Sequence, residues 1–483
     1  MSRQFSPWLA LWSMMLGFFM ILVDSTIVSV AIPAITEGLN ATYDQVIWVN
    51  SSYLLAYAVP LLVTGRLGDR FGPRTMYLAG LGLFTVSSLA CGLSPSIGAL
   101  IAARAFQGLG GAMVTPQTMS VMIRTFDPAS RGSAMGVWGA TAGVATVAGP
   151  LLGGLLVDAS GWAWIFFINV PVGIAGLVLA WIHVPRLERT NRTFDWPGVG
   201  LSTAGMFCLV FGIQEGSRLG WDWRFWGLMV AAAALMGLFV RRQSTLADAA
   251  LVPLSLFGDR NFSLASAAIA TVGFTISTYI IPWMIYVQTV REFSPTAAAL
   301  LVLPSGLISG ALSPFVGKLT NSHDPKPFAI AGLTLVAVSV ALTALITDPG
   351  VDPRWMYAVS ALYGVANSMM WGPLSMIATR NLDPRLAGAG SSVYNTTRQV
   401  GAVIGSAAIA AMMSSQLGRQ LGGGNGGGAD GAAGPAGMGG SLPEPLHAPF
   451  AQAMANSVWL PCAVIVLGAL VACCFAKTKS WKE

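Results

Sequence analysis

Long unbroken apolar runs dominate this chain, with neither the strict alternation of a strand nor the one-sided stripe of a soluble helix. Runs of about 17–25 apolar residues read as membrane-spanning helices. Fourteen are expected, at Leu9–Ile32, Val46–Thr64, Met76–Leu93, Gly98–Met122, Ala134–Val157, Trp164–Val184, Val199–Gln214, Phe225–Val240, Leu264–Val287, Ala297–Val316, Phe328–Ile346, Met356–Thr379, Ser391–Met413 and Asn456–Phe475. The seventh and eighth are the shortest. A β-barrel is excluded, because barrel strands alternate in polarity. The first run is too long for a signal-peptide core and lacks a small-residue cleavage site, so no cleaved leader is expected.

Composition agrees. The chain has 483 residues, 54% hydrophobic and 10% charged, with mean hydropathy +0.66, whereas soluble domains carry about 25% charge. The loops set the orientation through Lys and Arg. With Met1 cytoplasmic, 19 of the 26 basic residues fall in cytoplasmic loops and tails. Five, Arg218, Arg224, Arg291, Arg354 and Arg419, fall outside, and Arg104 and Arg398 lie within helices. Both termini are therefore expected in the cytoplasm, and low Lys against Arg with abundant Ala and Gly adds the expectation of a bacterial plasma membrane. The net charge of +6 reflects this topology and attraction to anionic lipid heads; no basic domain suggests a nucleic-acid partner.

Several function classes lose their footing. The five cysteines all lie in apolar runs and read as small hydrophobes. The three histidines are far apart, and there is no phosphate-binding Gly-rich loop ending in Lys-Ser/Thr. No nucleophile–base or metal constellation appears, so an enzyme is not expected, nor any cofactor or metal. Residues 418–441 form a Gly/Ala-rich tract expected to be a disordered outer tether.

One feature needs a chemical reason. Asp24 sits inside the first apolar run, in LVDSTIVSVAIP, where a carboxylate costs roughly 2.5–3.5 kcal/mol on insertion scales. Arg104 lies at matching depth in the fourth run: each is about 10–12 Å from the outer helix end at 1.5 Å per residue. A coupling between them across a cavity is geometrically possible, but a direct contact does not follow, and Arg104 bonded to backbone carbonyls is the alternative.

Further polar and aromatic residues share helix faces: Asn50, Tyr53 and Tyr57; Thr275, Tyr279 and Trp283; Asn367 and Trp371; Asn395 and Gln399; and Arg398, either cavity-lining or packed. Such a lining suits a bulky amphiphilic or cationic ligand, although helix packing explains any single member as well. GRLGDRFGPR, holding Gly65, Asp69, Arg70, Gly72 and Arg74, combines glycines for close approach with switchable ion pairs at a helix end. In GVATVAGPLLGG, Ala145, Gly149 and Gly153 form a smooth rail, and Pro150 frees a carbonyl so that the helix can bend.

These motifs resemble a known family. GRLGDRFGPR is similar to the loop after the second helix of the major facilitator superfamily, with Pro73 in place of a basic residue. GKLTNSHDPK (Gly317–Lys326) is a weaker echo, as an internal repeat requires. LVDSTIVSVAIP, with Ser29 where Asn is usual, RAFQGLGGA (Arg104–Ala112) and WAWIFFINVPVG (Trp162–Gly173) look like motifs of the 14-spanner drug:proton antiporters. So does GVATVAGPLLGG, holding Gly143, Gly149, Pro150, Gly153 and Gly154.

The resemblance implies an all-α major facilitator fold of two pseudo-symmetric six-helix bundles. Their expected extents are 1–190 and 246–483, with two inserted helices in 191–245. It implies a proton-coupled exporter of amphiphilic compounds, with Asp24 and Arg104 coupling protons and Gly65–Arg74 gating the cytoplasmic side. The partners are then a small-molecule substrate, protons and the bilayer, with a periplasmic adaptor if the cell has an outer membrane. A lipid or metabolite transporter, and a non-transporting sensor or envelope component, remain the alternatives.

Overall fold

The computed structural model describes residues 6–188, 195–216, 222–246, 250–420 and 442–476. Most of the Gly-rich tract expected to be a tether, residues 421–441, lies outside the described residues, as does the basic tail from 477.

Among the described residues the chain forms α-helices and short 3-10 turns. The N-terminal half comprises α1 (Pro7–Gly38), α2 (Tyr43–Ala58), α3 (Leu61–Phe71), α4 (Pro73–Gly92), α5 (Ile97–Thr125), α6 (Arg131–Ser160), α7 (Trp164–Phe167) and α8 (Asn169–His183). Two helices follow, α9 (Trp196–Glu215) and α10 (Trp223–Thr245). The C-terminal half comprises α11 (Arg260–Thr278), α12 (Ile280–Thr289), α13 (Pro295–Ser322), α14 (Pro325–Ile346), α15 (Arg354–Thr379), α16 (Ala387–Gln420) and α17 (His447–Cys473).

The fourteen expected spans all appear as helix. Among the described residues twelve are long and apolar enough to cross a membrane, and α2 with α3, bent by 48°, makes a thirteenth. The bend falls at Pro60, which lacks the N–H that would continue the ladder. The remaining segment, α15, has 26 residues, about 39 Å at 1.5 Å per residue. It is long enough to span, but Asn367, Ser368 and Pro373 lower its apolar content. The inserted pair is longer than the apolar pattern implies, 20 and 23 residues, because aromatic and polar residues extend both helices past the apolar runs. The first helix likewise runs to Gly38, past Pro33.

The segment expected as a loop, Gly65–Arg74, is mostly helix. Gly65, Asp69 and Arg70 lie in α3, and the turn is Gly72 alone, at φ +95°, a conformation that favours glycine. Pro73 then starts α4.

The two halves meet along α6 and α13 through residues too small to hold them apart. A Cβ on Gly132 would strike Gly317, and one on Gly143 would strike Ser309. At the end where α6 begins and α13 stops, the backbone N–H of Ser133 donates to Asn321 Oδ1 (3.2 Å) and Asn321 Nδ2 donates to Ser133 Oγ (2.7 Å). At this arginine-rich end α3 also docks on α16, with Gly65 against Gly388 and Ser392. Ser391 Oγ donates to the Pro116 carbonyl of α5 at 3.0 Å. The α9/α10 pair packs on itself and, through Met206 and Val210, on Val59 and Val403.

Candidate functional site

Asp24 is fully buried and its carboxylate is saturated with hydrogen bonds. Oδ2 accepts from Arg104 Nη1 at 2.5 Å. Oδ1 accepts from Gln107 Nε2 and from Asn169 Nδ2, each at 2.9 Å. A buried carboxylate is tolerable only when paired and bonded in this way. Two helices supply the donors: Arg104 and Gln107 sit three apart on one face of α5, and Asn169 opens α8.

Arg104 bonds through two of its three nitrogens, Nη2 having no hydrogen-bond partner among the described residues. Nη1 also reaches Gln107 Oε1 (2.7 Å), and Nε donates to the Val49 carbonyl (3.2 Å). The Tyr53 ring lies under the guanidinium, 4.1 Å from its carbon to the centroid. Ser88 Oγ accepts from both Gln107 Nε2 (3.0 Å) and Asn169 Nδ2 (2.9 Å). The sequence left coupling across a cavity open, but the structure brings the two charges into direct contact. The carbonyl alternative for Arg104 is also partly realised, at Val49.

Gln107, Asn169 and Ser88 escaped the sequence reading as site residues. Gln107 and Asn169 lie inside RAFQG and INVPVG, and the i, i+3 spacing of Gln107 from Arg104 was the available signal. Ser88 carries no such signal.

The residues expected to line one cavity separate into three groups. Tyr53 and Tyr57 stay in the N-terminal half: Tyr53 donates to the Ile21 carbonyl (3.4 Å) and Tyr57 to Thr115 Oγ1 (3.0 Å). Asn50, one turn away, is half-buried with its Oδ1 unpartnered. At the meeting of the halves, Trp371 packs edge-on against Trp138, centroids 5.9 Å apart, and Arg398 lies 5.9 Å from the Trp371 ring. Deep in the C-terminal half, Tyr279 lies against Tyr363 with the rings tilted by 33° and centroids 4.7 Å apart, Trp283 is beside them, and Asn367 follows one turn after Tyr363.

Two members face elsewhere. Thr275 faces α17; its hydroxyl bonds the Thr271 and Pro461 carbonyls. Asn395 Nδ2 donates to its own helix at Ser391 (2.9 Å). Gln399 is buried one turn further on.

At the arginine-rich end, Asp69 lies against the first residues of α16, where the backbone N–H groups of Gly388 and Ala389 donate to it. A helix N-terminus favours an anion. Arg66 is 3.9 Å away on the same helix. Arg74 donates to the Trp181 carbonyl and lies over its ring, and Arg70 over Phe71. The glycines of α6 divide between two neighbours. Gly149 and Gly153 abut Thr26 and Ile27 of α1, on either side of Pro150, while Gly143 and Gly154 face Ser309 and Thr296 of α13. Helix α6 thus joins the Asp24 helix to the other half.

The family model described as Major Facilitator Superfamily matches residues 14–406. The chain belongs to this superfamily.

It is 48% identical over 474 residues to an uncharacterized MFS-type transporter of Mycobacterium tuberculosis (strain ATCC 25618 / H37Rv), covering 97% of this chain and 80% of the relative. It is 31% identical over 401 residues to the multidrug export protein EmrB of Escherichia coli (strain K12), covering 82% and 78%. Among solved structures, the proton:xylose symporter XylE aligns with TM-score 0.67 at 14% identity, covering 98% of this chain and 96% of that one. That likeness shows the fold alone, which is the all-helical major facilitator fold expected from the sequence. The chain is thus a multi-span membrane transporter related to drug exporters, and its superfamily consists of transporters, not enzymes.

Proposed function

We propose that this transporter exports amphiphilic compounds in exchange for protons, by alternating access, with Asp24 as the proton carrier. The observation that carries the reading is the Asp24 carboxylate itself, unexposed and held by Arg104, Gln107 and Asn169 from two other helices. In its ionised form it accepts all three N–H donors. Once protonated, the carboxyl loses its charge and gains an O–H aimed among N–H donors, which weakens those bonds while Arg104 stays charged. That weakening loosens α1 from α5 and α8. Because α1 packs on α6, and α6 on α13, the loosening reaches the contact between the halves.

Orientation follows the arginine distribution, with both termini in the cytoplasm and the Gly65–Arg74 segment as the cytoplasmic gate. The observed Ser133–Asn321 and Gly65–Gly388 contacts then correspond to a state closed toward the cytoplasm. The bundles divide at 1–190 and 246–483 around an accessory pair in 191–245. The Trp138, Trp371 and Arg398 cluster lies where substrate crosses between the halves. No cofactor is required, since the proton gradient supplies the driving force.

The test uses purified protein in liposomes under an imposed pH gradient. Asn in place of Asp24 keeps an oxygen for Arg104 and mimics the protonated group. Asp24→Asn is expected to abolish uphill export of a dye while sparing energy-independent exchange. Uphill export with unaltered pH dependence would overturn the proton-carrier role.

A further inference from the structure

A second buried polar site lies wholly inside the C-terminal half, away from both Asp24 and the contact between the halves. It is a partly open chamber of about 20 Å³ bordered by α12, α13, α14 and α15. Tyr279, Trp283 and Tyr363 form its aromatic wall, Ser305, Thr343 and Ser360 add hydroxyls, and aliphatic side chains and Met356 complete the lining. No charged side chain lines it.

Several hydrogen-bonding groups in and beside it lack partners among the described residues. Thr343 and Ser305 hydroxyls donate to carbonyls of their own helices, Ser339 (2.9 Å) and Val302 (2.7 Å). Their oxygens therefore face the chamber as acceptors. Trp283 is 5% exposed, yet its Nε1–H has no partner among the described residues. Asn367 Oδ1, next to Tyr363, is unpartnered as well. Buried donors and acceptors in that state are rare in native proteins and costly, so they ask for a ligand.

The volume holds one water at most, so a larger guest requires the wall to move. The wall is built to do so. Helix α11 stops at Thr278 and α12 starts at Ile280, because Pro282 cannot donate to the Thr278 carbonyl. Trp283 follows that break directly, and rotation of α12 about Tyr279 would carry its indole outward.

We infer that this chamber is a subsite for an uncharged, planar aromatic group bearing a hydroxyl or carbonyl, which enters between Tyr279 and Trp283 as α12 swings. The inference rests on the transport reading above and names part of its cargo. The guest's oxygen accepts from Trp283 Nε1, a guest hydroxyl donates to the Thr343 or Ser305 oxygen, and its ring stacks on the tyrosines. A cation finds aromatic faces but no carboxylate here, and the unpartnered Trp283 N–H disfavours it.

The experiment is equilibrium binding to purified protein in detergent, without any gradient. The probes are neutral 1,4-dihydroxyanthraquinone and cationic ethidium. Trp283→Phe keeps the ring and removes the donor; Thr343→Val keeps the shape and removes an acceptor. Each is expected to weaken dihydroxyanthraquinone binding about 5- to 10-fold, the effect of one hydrogen bond, and to leave ethidium binding unchanged. Unchanged binding of the neutral dye in both variants overturns the subsite, as does equal weakening of both dyes. Because no proton flux is read, failure here leaves the Asp24 test intact.

Discussion

Asp24 and Arg104 meet at 2.5 Å, and neither side chain is exposed to solvent. Their helices lie 80 residues apart in sequence, and the pair ties α1 to α5 inside one half of the molecule. Gln107 binds both partners at once, so the group behaves as one unit in which altering any member disturbs the others.

Removing only the cation should therefore be the harshest change. Arg104→Met leaves a buried carboxylate with two neutral donors, a loss of about 3–5 kcal/mol of stability. Thermal unfolding in detergent should show a large drop in Tm and poor yield. The double variant Asp24→Asn/Arg104→Gln, with no buried charge, should recover most of the Tm without restoring uphill export.

Gly65 reports on the closed arginine-rich end. Any side chain there meets Ser392 and the Gly388 carbonyl. Gly65→Val should disfavour this closed state by about 1–3 kcal/mol, the usual cost of overpacking. The check is cross-linking of cysteines introduced at Ser133 and Asn321, whose side chains bond at 2.7 Å. Yield should fall in the Gly65→Val background; an unchanged yield contradicts a shared gate.

Asp69 should act on turnover more than on affinity. Its carboxylate accepts from Gly388 and Ala389 at the start of α16, a charge–helix interaction of about 0.3–2 kcal/mol. Asp69→Asn weakens that contact only while the end is closed. Turnover in liposomes should drop several-fold, with dye affinity little changed. Equal loss of affinity would speak against gating.

Asp195 gives a pH prediction at the inserted pair. It caps α9 by accepting from Gly198 N–H at 3.0 Å, and accepts from Arg242 Nε (2.7 Å) and Gln243 Nε2 (2.9 Å) on α10. Burial pushes its carboxyl upward, but these bonds outweigh it and hold it below the usual carboxylate range. The ionised form is the folded form's preference, so its contribution is complete above the unfolded value near 4 and disappears as pH falls through the lower folded value. Asp195→Ala should cost about 0.5–2 kcal/mol at pH 7, the range for a lost cap. Melting curves of the variant and the parent should differ by a constant amount from pH 5 to 8 and converge only in stronger acid.

Sequence alone established the class, the helical segments and the family. Burial in lipid forces every backbone group into a helix, so apolar length translates directly into structure, and even α15 forms as a helix despite its amides. Asp24 stood out for the same reason: a charge in an apolar run is expensive wherever the helix ends up. Tertiary structure decided which polar atoms meet. Gln107, Asn169 and Ser88 converge on Asp24 only because α4, α5 and α8 cross α1 at one depth. Tyr53 lies under Arg104 while Tyr279 and Trp283 line a separate chamber. Shared helix faces grouped these aromatics correctly in places, but Thr275 bonds α17 and the break at Tyr279 separates it from Trp283 on α12. A helical repeat fixes direction only within one unbroken helix, and the distance between two helices depends on the small residues that let them touch.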